Sequence, residues 1–465
     1  MGKKQSSRTG IRDAFKSVHI LSQLVGLAPY SFVTNTCNES ETIDISWKTN
    51  FASFMWSLVM LSTQAVGFVY VLSSNFNENP NSLPELVAKT LQFPLINATG
   101  LAALALSTSI NRKKMLMIIE NLSITDKCIF QKDHTVYKKR NRVFTIVLII
   151  SALCHITLHS INTYFYPSSH VNYYYSVSIC LCDLVWAVND LGYVNAVEIL
   201  AQNLMAINKQ MDAIFVTQSH CSPSSDRHRR SEELCPGRLA DKLHTQDVRA
   251  PINFHRSNGL PTRIFDVTSR ISARVLELRI CYNKLYHICH LINSMYGFTL
   301  LMGFTAYTVC TISDVYNICD ILVAPYREHE PISISKITIL ILWTIASVLK
   351  TFCVVFASER ARNEHKKAVH KIQKLILYVG ENGDVREQLE LFSNQLANNR
   401  IEFTACGVFS VNFRLVRSIV YTVVTYVIVL VQITWFRSWG KCFLYRHVHV
   451  PLPFNLLAPE LFFKI

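Results

Sequence analysis

Residues 337–356 read ITILILWTIASVLKTFCVVF, and residues 359–377, just beyond, read ERARNEHKKAVHKIQKLIL. The first stretch carries one charge, Lys350. A helix rises about 1.5 Å per residue and a bilayer's hydrocarbon core is about 30 Å thick, so roughly 20 apolar residues suffice to cross it. The first stretch meets that condition, and the sudden charge at Glu359 marks a membrane boundary. Apolar positions keep helical spacing through the charged stretch, so a charged helix continues the span. It is either solvated or packed in a bundle outside the membrane.

The same reading yields six more windows: Phe51–Leu72, Leu86–Ile110, Val143–Tyr166, Tyr173–Leu204, Ile288–Ile312 and Leu415–Phe436. The expected fold is therefore all-α, a polytopic membrane protein of seven transmembrane helices. Asp183, Asp190 and Glu198 interrupt the fourth window; carboxylates at membrane depth are costly and should face the bundle interior or water. The expected organisation is an amino-terminal segment with an interfacial helix (1–50), helices one to four (51–204) and a long loop (205–284). Helices five and six follow (285–356), then charged helices (357–414), the last span (415–436) and a tail (437–465).

Composition agrees. Across 465 residues half are apolar and only 17% charged, where soluble domains carry about 25% charged residues. The net charge of +14 invites a nucleic-acid reading, but position decides otherwise. The amino-terminal segment holds 6 of the 46 Lys and Arg, and the loops after spans two, four and six hold 9, 13 and 9. Six fall on the opposite side and three, Lys89, Lys350 and Arg417, lie within spans. Basic loops stay cytoplasmic, so the amino terminus is expected inside and the carboxyl terminus outside. That is opposite to a G-protein-coupled receptor. The excess positive charge is a topology signal that also favours anionic lipid, and no nucleic-acid partner is expected.

The amino-terminal apolar run, Val18–Ala28, is interrupted by His19, Ser22 and Gln23 and reads as an interfacial helix rather than a signal peptide. The sequons at Asn38, Asn97 and Asn121 fall where no glycosylation is expected. Only Cys319 and Cys442 lie in outward segments, so a disulfide framework is not expected. A polar stretch from Gln218 to Pro261 reads as a disordered insert. Its His220, Cys221, His228, Cys235 and His244 match no zinc spacing.

No catalytic constellation, cofactor motif or metal site emerges. His155 and His159 stand at i,i+4 in span three, and read as paired histidines in a polar cavity. A transporter would show inverted repeats; none is evident.

The segment Phe403–Phe413, FTACGVFSVNF, followed by Thr425–Ile433, TYVIVLVQI, resembles the closing region of the insect gustatory receptor family. Ala405, Cys406, Gly407, Thr425, Tyr426 and Gln432 match its motifs, while Ile433 stands where Phe is usual. LAPY at Leu27–Tyr30, ERARNEHKK and Thr305-Ala306-Tyr307 are similar to the fructose-sensing branch. The tail 437–465 extends past the family's usual ending. The resemblance implies a ligand-gated cation channel in the plasma membrane of sensory neurons, assembled as a tetramer around one pore. Thr425, Val429, Gln432 and Ile433 would line that pore, Gln432 as a polar ring and Ile433 as a constriction. It also implies a tastant site in an outward cavity of each subunit. Sugars pair apolar C–H faces with many hydroxyls, which singles out His159, Asn162, Asp183, Trp186, Thr305, Tyr307 and Trp343. Leu340, one turn before Trp343, offers no polar group and keeps a bitter plant compound open as the ligand. A receptor signalling through a cytosolic partner and a transporter are the alternatives from other classes.

Overall fold

The computed structural model describes residues 10–29, 31–34, 45–48, 51–77, 88–129, 134–165, 171–221, 260–328, 334–379 and 383–445. Among them the chain forms α1 (Gly10–Leu24), α2 (Phe51–Asn77), α3 (Phe93–Thr108), α4 (Asn111–Ile129) and α5 (His134–Phe165). Then follow α6 (Val171–Cys221), α7 (Leu260–Glu328), α8 (Ile334–Val379), α9 (Gly383–Asn398) and α10 (Phe413–Tyr445). A π-helical turn, Ala88–Gln92, leads into α3, and two short antiparallel strand pairs are present: β1 (Ser31–Thr34) with β2 (Ile45–Lys48), and β3 (Thr404–Ala405) with β4 (Phe409–Ser410). The expected insert lies mostly outside the described residues, as does the tail beyond Tyr445.

Among the described residues six helices are long and apolar enough to cross a membrane, with spans in α2, α3, α6, α7, α8 and α10. The seventh expected span corresponds to a shorter apolar stretch, Thr145–Ile161 in α5. At 1.5 Å per residue, α7 is about 100 Å long and must project well beyond the hydrocarbon core.

The core sits where α6, α7 and α8 pack together, around the fully buried Trp186, Tyr193, Tyr282 and Tyr316. Cys182 on α6 lies against Gly100 of α3, whose hypothetical Cβ would sit 3.0 Å from the Cys182 carbonyl oxygen. The Cys182 thiol faces the side chains of Gln64 on α2 and Asn97 on α3, tying three spans at one level. Asn97 is itself buried and bonds the Phe93 carbonyl at 2.9 Å.

The charged continuation of α8 is packed, not merely solvated. Arg360 donates to Glu198 of α6 at 2.8 Å, and Asn208 donates to Glu364 at 2.9 Å. Tyr282 of α7 donates to the Asn399 carbonyl at 2.6 Å and accepts from His365 Nδ1 at 2.9 Å. α9 buries Val385, Leu389, Phe392 and Leu396 along one stripe against α7 and α8. Helical spacing of apolar residues on both helices makes this bundle.

The Ala405-Cys406-Gly407 motif forms the β3–β4 turn. Val408 N–H donates to the Ala405 carbonyl at 2.9 Å, with φ of 51° at Cys406 and 73° at Gly407. Both central residues are left-handed, the condition for a tight hairpin turn and the reason for a glycine there. The hairpin seats on α7 at Gly297, where a Cβ would lie 3.0 Å from the Cys406 nitrogen. Asn293 clamps it, donating to the Glu402 carbonyl at 2.7 Å and accepting from Thr404 N–H at 3.2 Å.

Candidate functional site

Between α5, α6, α7 and α8 lies a buried charged cluster. Lys350 Nζ of α8 bonds Asp183 Oδ1 of α6 at 2.9 Å. The other oxygen, Oδ2, faces His155 Nε2 at 3.3 Å and His159 Nε2 at 3.7 Å, both from α5. Side-chain exposures run from 5% at His155 to 14% at Lys350. The group is therefore nearly closed, with Lys350 and His159 its most exposed members. The i,i+4 spacing aims both imidazoles at one carboxylate. An isolated charge in such a place is prohibitive, so lysine and aspartate stabilise each other's ionised form.

Aromatic walls flank the cluster. Trp186 and Tyr307 stack with centroids 4.1 Å apart, and Lys350 Nζ lies over them at 5.4 and 5.8 Å. Trp343 meets His159 edge-on at 4.7 Å. Tyr307 donates to Asp190 Oδ2 at 2.6 Å. The Trp186 indole nitrogen is buried without a hydrogen-bond partner. It rests against Gly303, where a Cβ would come within 3.0 Å. Aromatic faces beside charged and hydrogen-bonding groups are what a polar small molecule with apolar faces requires.

Five expected site residues meet here: His159, Asp183, Trp186, Tyr307 and Trp343. Thr305 does not join them. It is exposed and bonds the Leu301 carbonyl at 2.9 Å, while its neighbours Ala306 and Tyr307 are buried. The backbone of Asn162 lies on α5, but its side chain is outside the described residues. Lys350, the hub, was missing from the expected set, as were Asp190 and Gly303; a lone lysine inside an apolar span was the available signal. A separate cavity of about 50 Å³ lies under α1, lined by His19, Ser22, Asn111, Arg112 and Asn189 among others.

α10 carries the other expected residues. Only 6% of its apolar window is buried within the chain. Thr425, Val429, Gln432 and Ile433 are all exposed, as is Tyr426. Thr425 satisfies its hydroxyl on the Tyr421 carbonyl at 2.9 Å.

Long apolar helices around a buried lysine–aspartate–histidine cluster, walled by tryptophan and tyrosine, define a polytopic membrane protein with ionisable groups in its interior. A family model described as 7tm chemosensory receptor matches residues 15–434. The chain belongs to that family. Putative gustatory receptor 28a of Drosophila melanogaster is 21% identical over 436 residues, covering 88% of this chain and 89% of that protein. Putative gustatory receptor 28b of the same species is 27% identical over 143 residues, which span 30% of its length. The solved insect olfactory receptor OR5 from Machilis hrabei superposes with a TM-score of 0.61 at 11% identity, covering 91% of this chain and 98% of that one. The structure of that receptor in complex with eugenol also gives 0.61, at 10% identity. At these identities the likeness is one of fold.

Proposed function

We propose that the chain is a gustatory receptor that is itself a ligand-gated cation channel in the plasma membrane, with its amino terminus inside. The observation that carries the reading is the Lys350–Asp183–His155–His159 cluster beneath the aromatic pair Trp186 and Tyr307. A purely structural bundle gains little from ionisable groups at membrane depth, whereas a receptor uses them to orient a ligand. The favoured ligand is a polyhydroxylated molecule such as fructose. Its hydroxyls would bond the Asp183 and Lys350 ends while its C–H face lies on an aromatic ring. A second reading, an aromatic plant compound, draws on the three aromatic walls, on Leu340, and on the eugenol bound by the olfactory receptor of like fold.

The pore would form among four copies of α10. Its exposed apolar surface needs lipid or other copies to cover it, and Gln432 beside Ile433 offers a polar ring next to a constriction. Binding opens the channel by stabilising the open state through its higher affinity there. Recording from cells that express this chain alone, challenged with sugars and aromatic compounds, tests the proposal. A ligand-evoked cation current supports it. Ligand uptake without current would identify a carrier instead.

A further inference from the structure

We propose that His155 and Asp183 form a proton-binding site, through which external acid weakens ligand binding; that last link rests on the receptor reading above. His155 Nδ1 lies 2.7 Å from the Ser151 carbonyl, which has no hydrogen to give, so Nδ1 carries one. A neutral His155 then presents a bare lone pair from Nε2 to Asp183 Oδ2 at 3.3 Å. Two acceptors facing each other in a buried site repel. A proton on Nε2 converts the contact to a charge-assisted hydrogen bond. His159 Nε2 lies farther from the same oxygen, at 3.7 Å.

The titratable groups around His155 come from several elements, and α1, which meets α5 at Ser17 and Thr145, carries Lys16 and His19. α6 supplies Asp183, with Cys180 and Cys182 beside it and Asp190 behind Tyr307; α8 supplies Lys350; α5 supplies His159. α7 contributes Tyr307 and, farther along, Cys310 and Asp314. A bound proton ties up Oδ2, the oxygen a ligand hydroxyl would otherwise use. Proton and ligand therefore compete, and affinity falls by up to roughly tenfold per pH unit below the site's midpoint.

The test is a pH titration of tryptophan emission on purified full-length receptor in lipid nanodiscs, from about pH 8 to about pH 5, with a chelator present. It needs no ligand, so its result is independent of whether the chain conducts. Trp343, edge-on to both imidazoles, reports the charge. We expect a titration that is lost in His155→Gln and absent from Trp343→Phe. Its midpoint should fall by about one unit in Asp183→Asn, which removes the carboxylate, and rise in Lys350→Gln, which removes the competing cation. A titration that survives His155→Gln, or shifts the same way in both charge variants, would overturn the assignment. So would a flat wild-type titration, or one seen only when the chelator is omitted, which would assign the cluster to a metal ion.

Discussion

Lys350 and Asp183 meet at 2.9 Å across the interface of α8 and α6, with 14% and 8% of their side chains exposed. These two helices share the most extensive contact in the bundle. The pair thus joins the fold's principal seam to the ligand site proposed within it.

Replacing Lys350 by Met should destabilise the receptor by about 3–5 kcal/mol, because Asp183 is left buried without its cation. Adding Asp183→Asn should recover most of that loss. Thermal unfolding of the single and double variants measures it, and a purely additive double variant would contradict the coupling.

Gly303→Ala places a methyl 3.0 Å from the Trp186 indole nitrogen and should tilt that ring off Tyr307. Ligand affinity should drop by about tenfold with the protein still reaching the surface, since overpacking of this size costs about 1–3 kcal/mol. Unchanged affinity would remove the stacked pair from the site.

The hairpin gives an ordering of effects. Gly407→Ala introduces a Cβ at a left-handed position and should cost about 1 kcal/mol. Gly297→Ala drives a Cβ to 3.0 Å from the Cys406 backbone nitrogen, which has no flexible end to move, and should cost more. Melting of the two variants compares them; the reverse order would mean the hairpin is not seated on α7.

In the charged bundle, burial lowers His365 from its usual 6.5 to about 4. The unfolded chain therefore binds a proton between these values that the folded chain does not. Stability rises with pH through that window and is lost on acidification from 6.5 toward 4. Melting temperature should fall accordingly in the wild type and by less in His365→Gln, which keeps a donor for Tyr282. An identical acid slope in both would place the titration elsewhere.

Much of this architecture is legible in the chain. The apolar windows locate the helices, and the charged stretch Glu359–Leu377 announces the continuation of α8. Five of the seven expected ligand residues converge because aromatic and polar residues inside apolar spans must turn inward. Thr305 was misplaced because a threonine satisfies its hydroxyl on its own helix, as it does on the Leu301 carbonyl, so its polarity carries no facing information. Lys350 shows its position within a span but not its partner, since Asp183 lies 167 residues earlier on another helix. Pairings across that distance are set by packing, not by local pattern. The Ala-Cys-Gly motif was readable as a signature, but its role as a left-handed turn against Gly297 needed coordinates.

One recording tests the central claim most directly: whole-cell current from cells expressing this chain alone, with wild type beside Trp186→Ala and Gln432→Ala. The account predicts a ligand-evoked cation current whose half-maximal concentration rises in Trp186→Ala and whose ion selectivity or conductance changes in Gln432→Ala. Surface-expressed wild-type protein that binds ligand yet passes no current would contradict it, as would permeation indifferent to Gln432.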